Sequence, residues 1–184
     1  ENFDKELEKM GTDRGKADAI RTRLAKTISE KSKEDPAYYK KFSTRIEETI
    51  EAYRNRRITD SEYLQKMQDI KEDFRKGNSG IVYPSNITTE NSRAFYGVIY
   101  DKLIPRMKEN ANIEEIGEIA LTIQREIESK IKRDWHYNTD IHNEIAQAID
   151  DTIFMYATRK NISLDLEELD KLIEEIINIA LMKY

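Results

Sequence analysis

Cysteine is absent from these 184 residues, proline occurs three times, glycine six times and histidine twice. The missing thiols exclude disulfides, thiolate catalysis and cysteine-based zinc sites, and they suit a reducing compartment. So few prolines and glycines leave long stretches without a helix breaker. No apolar run approaches the ~20 residues that a membrane span needs, and "ENFDKELEKM" lacks the basic-then-apolar layout of a signal peptide. The expectation is a soluble cytoplasmic protein with no membrane partner.

What is present is charge. Asp, Glu, Lys and Arg make up 36% of the chain against 38% hydrophobic residues, a balance that suits amphipathic helices with solvated outer faces. The length fits one domain or two small helical units. Residues 1–80 carry 19 basic and 17 acidic side chains, which leaves 12 and 19 for residues 81–184, a net charge of −7. An acidic second half is ill suited to gripping DNA, so phosphate contact is confined to the first. The chain opens on Glu1 rather than methionine, and its first 18 residues show neither a strong cap nor an apolar period. It reads as a piece of a longer chain.

Helical periodicity runs almost throughout. Ile20, Leu24 and Ile28 make a stripe within Ala17–Lys33, a helix that looks short of partners. Asp35 and Pro36 start the next, where Tyr39, Phe42, Ile46, Ile50 and Tyr53 share one face. After "RNRR", Thr59 and Glu62 have the spacing of a capping box, and Tyr63, Met67, Ile70 and Phe74 follow. Residues 35–76 therefore predict an antiparallel hairpin. Gly77, Gly80 and Pro84 interrupt residues 75–91, a hinge whose Ile81, Val82 and Tyr83 keep it on the protein surface.

Beyond the hinge, Thr88 or Thr89 caps a helix bearing Phe95, Ile99 and Leu103, which Pro105 should bend or end near Leu103. Residues 113–133 align Ile113, Ile116, Ala120, Ile123, Ile127 and Ile131. From about Asp140, Ile141, Ile145, Ile149 and Ile153 recur every fourth residue. Ser163 opens the last helix, with Leu166, Leu169, Ile173, Ile176, Ile177 and Ala180. The fold class is all-α, an antiparallel multi-helix bundle of about six to eight helices in two subdomains. These are residues 1–76 and 88–184, joined by a hinge at 77–87.

Capable side chains concentrate in "DWHYNTDIH", residues 134–142, which holds the only tryptophan and both histidines. A di-iron bundle would need Glu three residues before each histidine, and those places hold Arg133 and Thr139. His142 could pair with Asp140 or Glu144 as an acid–base couple, yet no nucleophile or glycine-rich loop accompanies it. Nuclease sites that carry their carboxylates on a mixed sheet have no strands here to use. No catalytic or metal-binding residue is assigned. The stretch reads better as a helix junction, with Trp135 as an apolar anchor and Asn138 or Asp140 capping the next helix. Candidates for phosphate contact are Lys40, Lys41 and Arg45 on one helix, with Arg54, Arg56 and Arg57 at its end, where basic side chains also complement the helix dipole.

Several segments, in order, resemble the C-terminal helical region of the R subunit, the motor and nuclease subunit, of type I restriction–modification enzymes. They are "ADAIRTRLAKTISE", "EDPAYYKKFSTRIEETIEAYRNRRITDSEYL", "AFYGVIYDKL" and "DWHYNTDIHNEIAQAIDD", together spanning most of residues 17–151. The resemblance implies that nuclease and ATP-driven translocase domains, with their ATP and magnesium, lie upstream. It implies a non-catalytic assembly domain that attaches the motor to the methyltransferase formed by the M and S subunits. The alternative is a helical DNA-contacting module that guides duplex toward the translocase. For docking, the candidates are an outer face around Trp135, Tyr137 and Tyr156, joined by Asn138 and Asp140 at the junction, and the Ala17–Lys33 helix.

Overall fold

A computed structural model describes residues 2–107 and 112–184, and among these it contains eight α-helices and no strand. The all-α bundle expected from the periodicity is the observed architecture. The chain forms two compact units, Glu1–Ser32 with Tyr38–Ile81 and Lys33–Ala37 with Val82–Tyr184.

The first unit is built from α1 (Asn2–Glu8), α2 (Asp13–Lys31), α3 (Pro36–Arg54) from Tyr38 onward, and α4 (Asp60–Lys76). Thr12 opens α2 by accepting the Gly15 amide at 3.1 Å. Ala17, Ile20, Leu24 and Ile28, spaced three and four apart, then face the Tyr63, Met67 and Ile70 stripe of α4 in one buried core. This helix is therefore not short of partners, and the reading of Ala17–Lys33 as weakly packed is corrected. Phe42 meets Phe74 with ring centroids 5.0 Å apart, and Tyr53 stacks on Tyr63 at 4.4 Å. The start of α3 thus lies against the end of α4, the antiparallel hairpin that the stripes predict. The Thr59–Glu62 capping box forms, and Gly77 ends α4 at φ +74°, a left-handed turn that glycine adopts without a Cβ penalty. Nothing in the sequence pattern announces α1. Its seven residues are too few to show a period, and packing fixes it: Leu7 is buried, the Arg23 guanidinium covers Phe3 at 4.6 Å, and Asp4 pairs with Lys71 at 2.7 Å.

The second unit is a ring of four helices: α5 (Glu90–Leu103), α6 (Ile113–Lys130), α7 (Thr139–Lys160) and α8 (Leu166–Lys183). Each packs on the next, and α8 closes on α5. Neighbours are antiparallel. Arg106 and Lys102, at the end of α5, meet Glu168 at the start of α8, and Tyr156 and Lys160, at the end of α7, meet Glu115 at the start of α6. The isoleucine stripes point inward, with Ile116, Ile123, Ile127, Ile149, Ile153 and Ile176 fully buried. Each such side chain contributes about 1.5–3 kcal/mol of transfer free energy.

Thr89 caps α5, which stops at Leu103 before a 3-10 turn over Ile104–Arg106, as Pro105 requires. Two boundaries move. Ile131 adopts an extended ψ of 121°, so α6 ends at Lys130, and the start of α8 is capped by Asp165, not Ser163. The segment after Ile81 lies against α5, where the Tyr96 hydroxyl donates to the Val82 carbonyl and the Tyr83 ring meets that of Tyr96, and against α6, where Pro84 approaches Gly117; Ile87 is buried and Val82 is 65% exposed. Gly117 allows this approach: a Cβ there would stand 2.6 Å from Asn86 Oδ1 and 2.8 Å from Pro84 Cγ.

Candidate docking surface

At the α6–α7 junction the chain turns at Asp134, whose φ of +63° is left-handed, and makes one 3-10 turn over Trp135–Tyr137. Trp135 is 2% exposed, with its ring 4.7 Å from that of His136 and edge-on to His142 at 5.6 Å. Its Nε1–H has no acceptor, and His142 Nε2 is likewise buried without a partner. Asn138 is the cap of α7, its Oδ1 accepting the Asp140 and Ile141 amides at 3.0 and 3.3 Å. Asp140 is exposed in the first turn, where a carboxylate complements the helix dipole. Neither Asp140 nor Glu144 bonds to His142, so the structure does not assemble the acid–base couple weighed from the sequence. Among the described residues no group of three His, Asp or Glu side chains could hold a metal ion.

The outer face expected around Trp135, Tyr137 and Tyr156 is corrected. Tyr137 is 92% exposed, but Trp135 is in the core and Tyr156 is 3% exposed. Three residues beyond Ile153, Tyr156 continues the inward stripe of α7. Its hydroxyl donates to Glu115 Oε2 at 3.1 Å, and Lys160 donates to Glu115 Oε1 at 2.8 Å. Burial, and then the bond to Glu115, push the Tyr156 phenol up to about 12. The Lys160 hydrogen bond holds the Glu115 carboxyl below the usual glutamate range.

The basic candidates separate into two places. Lys40 and Lys41 lie near the start of α3 and Arg45 at its middle, so that by helical rise Arg54 at its end is about 20 Å from the lysines and about 14 Å from Arg45. Arg45 is engaged within the chain, donating to Asp73 at 2.7 Å, while Lys40 is exposed. Arg54, Arg56 and Arg57 are exposed and form no ion pair among the described residues. The carboxylates across the turn are committed elsewhere, Asp60 to the Tyr53 hydroxyl at 2.7 Å and Glu62 to Thr59. Arg56 sits at φ +54°, and the amides of Arg56 and Arg57 close α3 on the Tyr53 and Ala52 carbonyls.

A surface not singled out from the sequence runs between α6 and α7. Two adjoining depressions of about 670 and 590 Å³ share Thr152 and Met155. Met155 is 66% exposed, and beside it in sequence Phe154 is 63% exposed. Only the exposed apolar pair was legible, since both residues lie off the Ile141–Ile153 stripe, where a solvated helix face would carry polar side chains; the groove itself needs α6 beside α7. No described helix is long and apolar enough to cross a membrane.

Residues 1–180 match the family described as "Type I restriction enzyme HindI endonuclease subunit-like, C-terminal". A relative from Methanocaldococcus jannaschii, named as a type I restriction enzyme MjaIXP endonuclease subunit, is 29% identical over 168 residues. The alignment covers 88% of this chain and 14% of the relative, so the chain spans about one seventh of that protein's length. No solved structure matches.

Proposed function

The chain belongs to the family of type I restriction enzyme endonuclease subunit-like C-terminal regions, and from that premise we propose that it is a non-catalytic assembly domain. Its task is to dock a motor and nuclease subunit onto the methyltransferase made of M and S subunits, in the cytoplasm, during DNA restriction. The observation that carries the reading is the match of residues 1–180 to a family described as the C-terminal part of an endonuclease subunit, together with a relative of which the alignment covers only 14%. ATP and magnesium belong to the remainder of such a subunit. A family match alone says little about chemistry, so the 66% exposed Met155 of α7, which lines both depressions between α6 and α7, supplies the second support, since an exposed apolar side chain in a groove marks a place where a partner can sit.

The test is removal of this region from the whole endonuclease subunit. The shortened subunit should keep DNA-independent nucleotide binding and lose co-purification with the methyltransferase. A shortened subunit that still assembles refutes the proposal. A second reading, a DNA-contacting module, draws on the exposed Arg54, Arg56 and Arg57, to which Lys40, Lys41 and Arg45 would add. It requires duplex binding that weakens steeply with salt and with charge reversal at these positions. DNA binding that ignores salt, or none, eliminates it.

A further inference from the structure

We propose that the trough between α6 and α7 is the seat of a basic amphipathic helix. The proposal deepens the assembly reading and rests on it for the identity of the partner that carries this helix. Along α7 the lining runs from Asn143 to Arg159, roughly 24 Å at the rise of an α-helix, or between four and five turns. The floor is apolar or small: Ala148, Thr152 and Met155 from α7, and Ile119 from α6.

The rim is acidic, and its acids lack counter-charges. Among the described residues Glu144 has no bonding partner, Asp151 accepts only the Gln147 amide at 2.9 Å, and Glu118 accepts only the Asn86 amide at 2.8 Å. Two cations face five carboxylates in the lining: Lys130 donates to Glu126 at 2.7 Å, and the Arg159 guanidinium lies over the Tyr156 ring at 5.5 Å, so the groove keeps an acidic excess. An apolar floor between uncompensated carboxylates selects an occupant with an apolar ridge flanked by Lys and Arg, the complement by shape and by charge. A second copy of this face would set carboxylate against carboxylate, and an anionic lipid surface would meet the same repulsion.

The direct test uses the 184-residue chain and two fluorescent synthetic helical peptides, each with a leucine ridge, one flanked by lysines and the other by glutamates. The lysine peptide should bind at least about tenfold more tightly, with an affinity that falls as salt rises. The double variant Glu144→Lys/Asp151→Lys should reverse that order, and Met155→Ser should weaken the lysine peptide at least about fivefold. Phe154→Ser serves as the control, because Phe154 lies about 100° around the helix from Met155 and does not line the trough. It should stay within about twofold of the unmodified chain. All four positions are exposed, and circular dichroism of each variant should show the helical content of the unmodified chain.

Equal binding of the two peptides, an order that survives the charge swap, or self-association of the chain that Met155→Ser abolishes would each overturn the proposal. Capture of the methyltransferase complex, measured alongside, separates the two readings. Capture by the unmodified chain that none of the trough variants disturbs overturns this seat and leaves the assembly role. The predicted peptide order without capture fells the assembly role and leaves the seat.

Discussion

Replacing Trp135 distinguishes a core anchor from a side chain held out for a partner. The indole is 2% exposed and lies against His136 and His142 where α6 passes into α7. Trp135→Ala should cost about 3–5 kcal/mol, the usual range for a large buried aromatic. Trp135→Phe should behave differently. It gives up roughly 1–2 kcal/mol of apolar burial, but it also removes the buried Nε1–H that has no acceptor, a group that costs about 1–3 kcal/mol to leave unsatisfied. The two effects nearly cancel, so the phenylalanine variant should unfold close to the parent. The assay is urea unfolding followed by far-ultraviolet circular dichroism, since the substitutions remove the only tryptophan. With a slope of about 2 kcal/mol per molar, the alanine variant should lose roughly 1.5–2.5 M from the midpoint of the affected transition. A loss for alanine under about 1 kcal/mol, or equal losses for both variants, would refute the placement of Trp135 as a packed anchor.

Three further outcomes follow from the same structure. Asn138→Ala removes the acceptor for two α7 amides and should lower stability by about 1 kcal/mol, whereas Asn138→Asp should retain most of it, as read from thermal midpoints. The Glu115 carboxyl is held below its ordinary value of 4.5 by Lys160, so its contribution is present above that pH and is lost as pH falls through the depressed folded value. Stability measured from pH 7 to pH 3 should decline less in Glu115→Gln than in the parent, and an identical decline would show that the bond to Lys160 does not shift the carboxyl. Arg56→Gly relieves a left-handed φ of +54° and should raise stability by about 1 kcal/mol, a gain that calorimetry would detect.

Much of the helical plan was legible because its stop and start signals are local. Pro105, the Thr59–Glu62 box, Thr89 and Asn138 act on backbone groups within one turn of themselves, so their effects can be read without knowing the fold. What could not be read depends on distant residues. α1 exists because Leu7 joins the core of its unit and Asp4 reaches Lys71, contacts that a seven-residue segment does not announce. Ser163 and Asp165 are both able to cap, and only the bond from the Glu167 amide to Asp165 decides between them. Tyr156 could have been placed correctly, since it falls three residues after Ile153 on the buried stripe. The trough could not, because its acidic rim is assembled from Glu118 on α6 with Glu144 and Asp151 on α7, which the antiparallel packing brings to one groove.

The most direct measurement of the central claim is the mass of the complex formed when the isolated 184-residue chain is mixed with its cognate methyltransferase, read by size-exclusion chromatography with light scattering. The assembly role predicts a stoichiometric complex in which this chain co-migrates with the M and S subunits, without nuclease or ATPase activity of its own. Separate elution at concentrations where the whole endonuclease subunit does associate would contradict it.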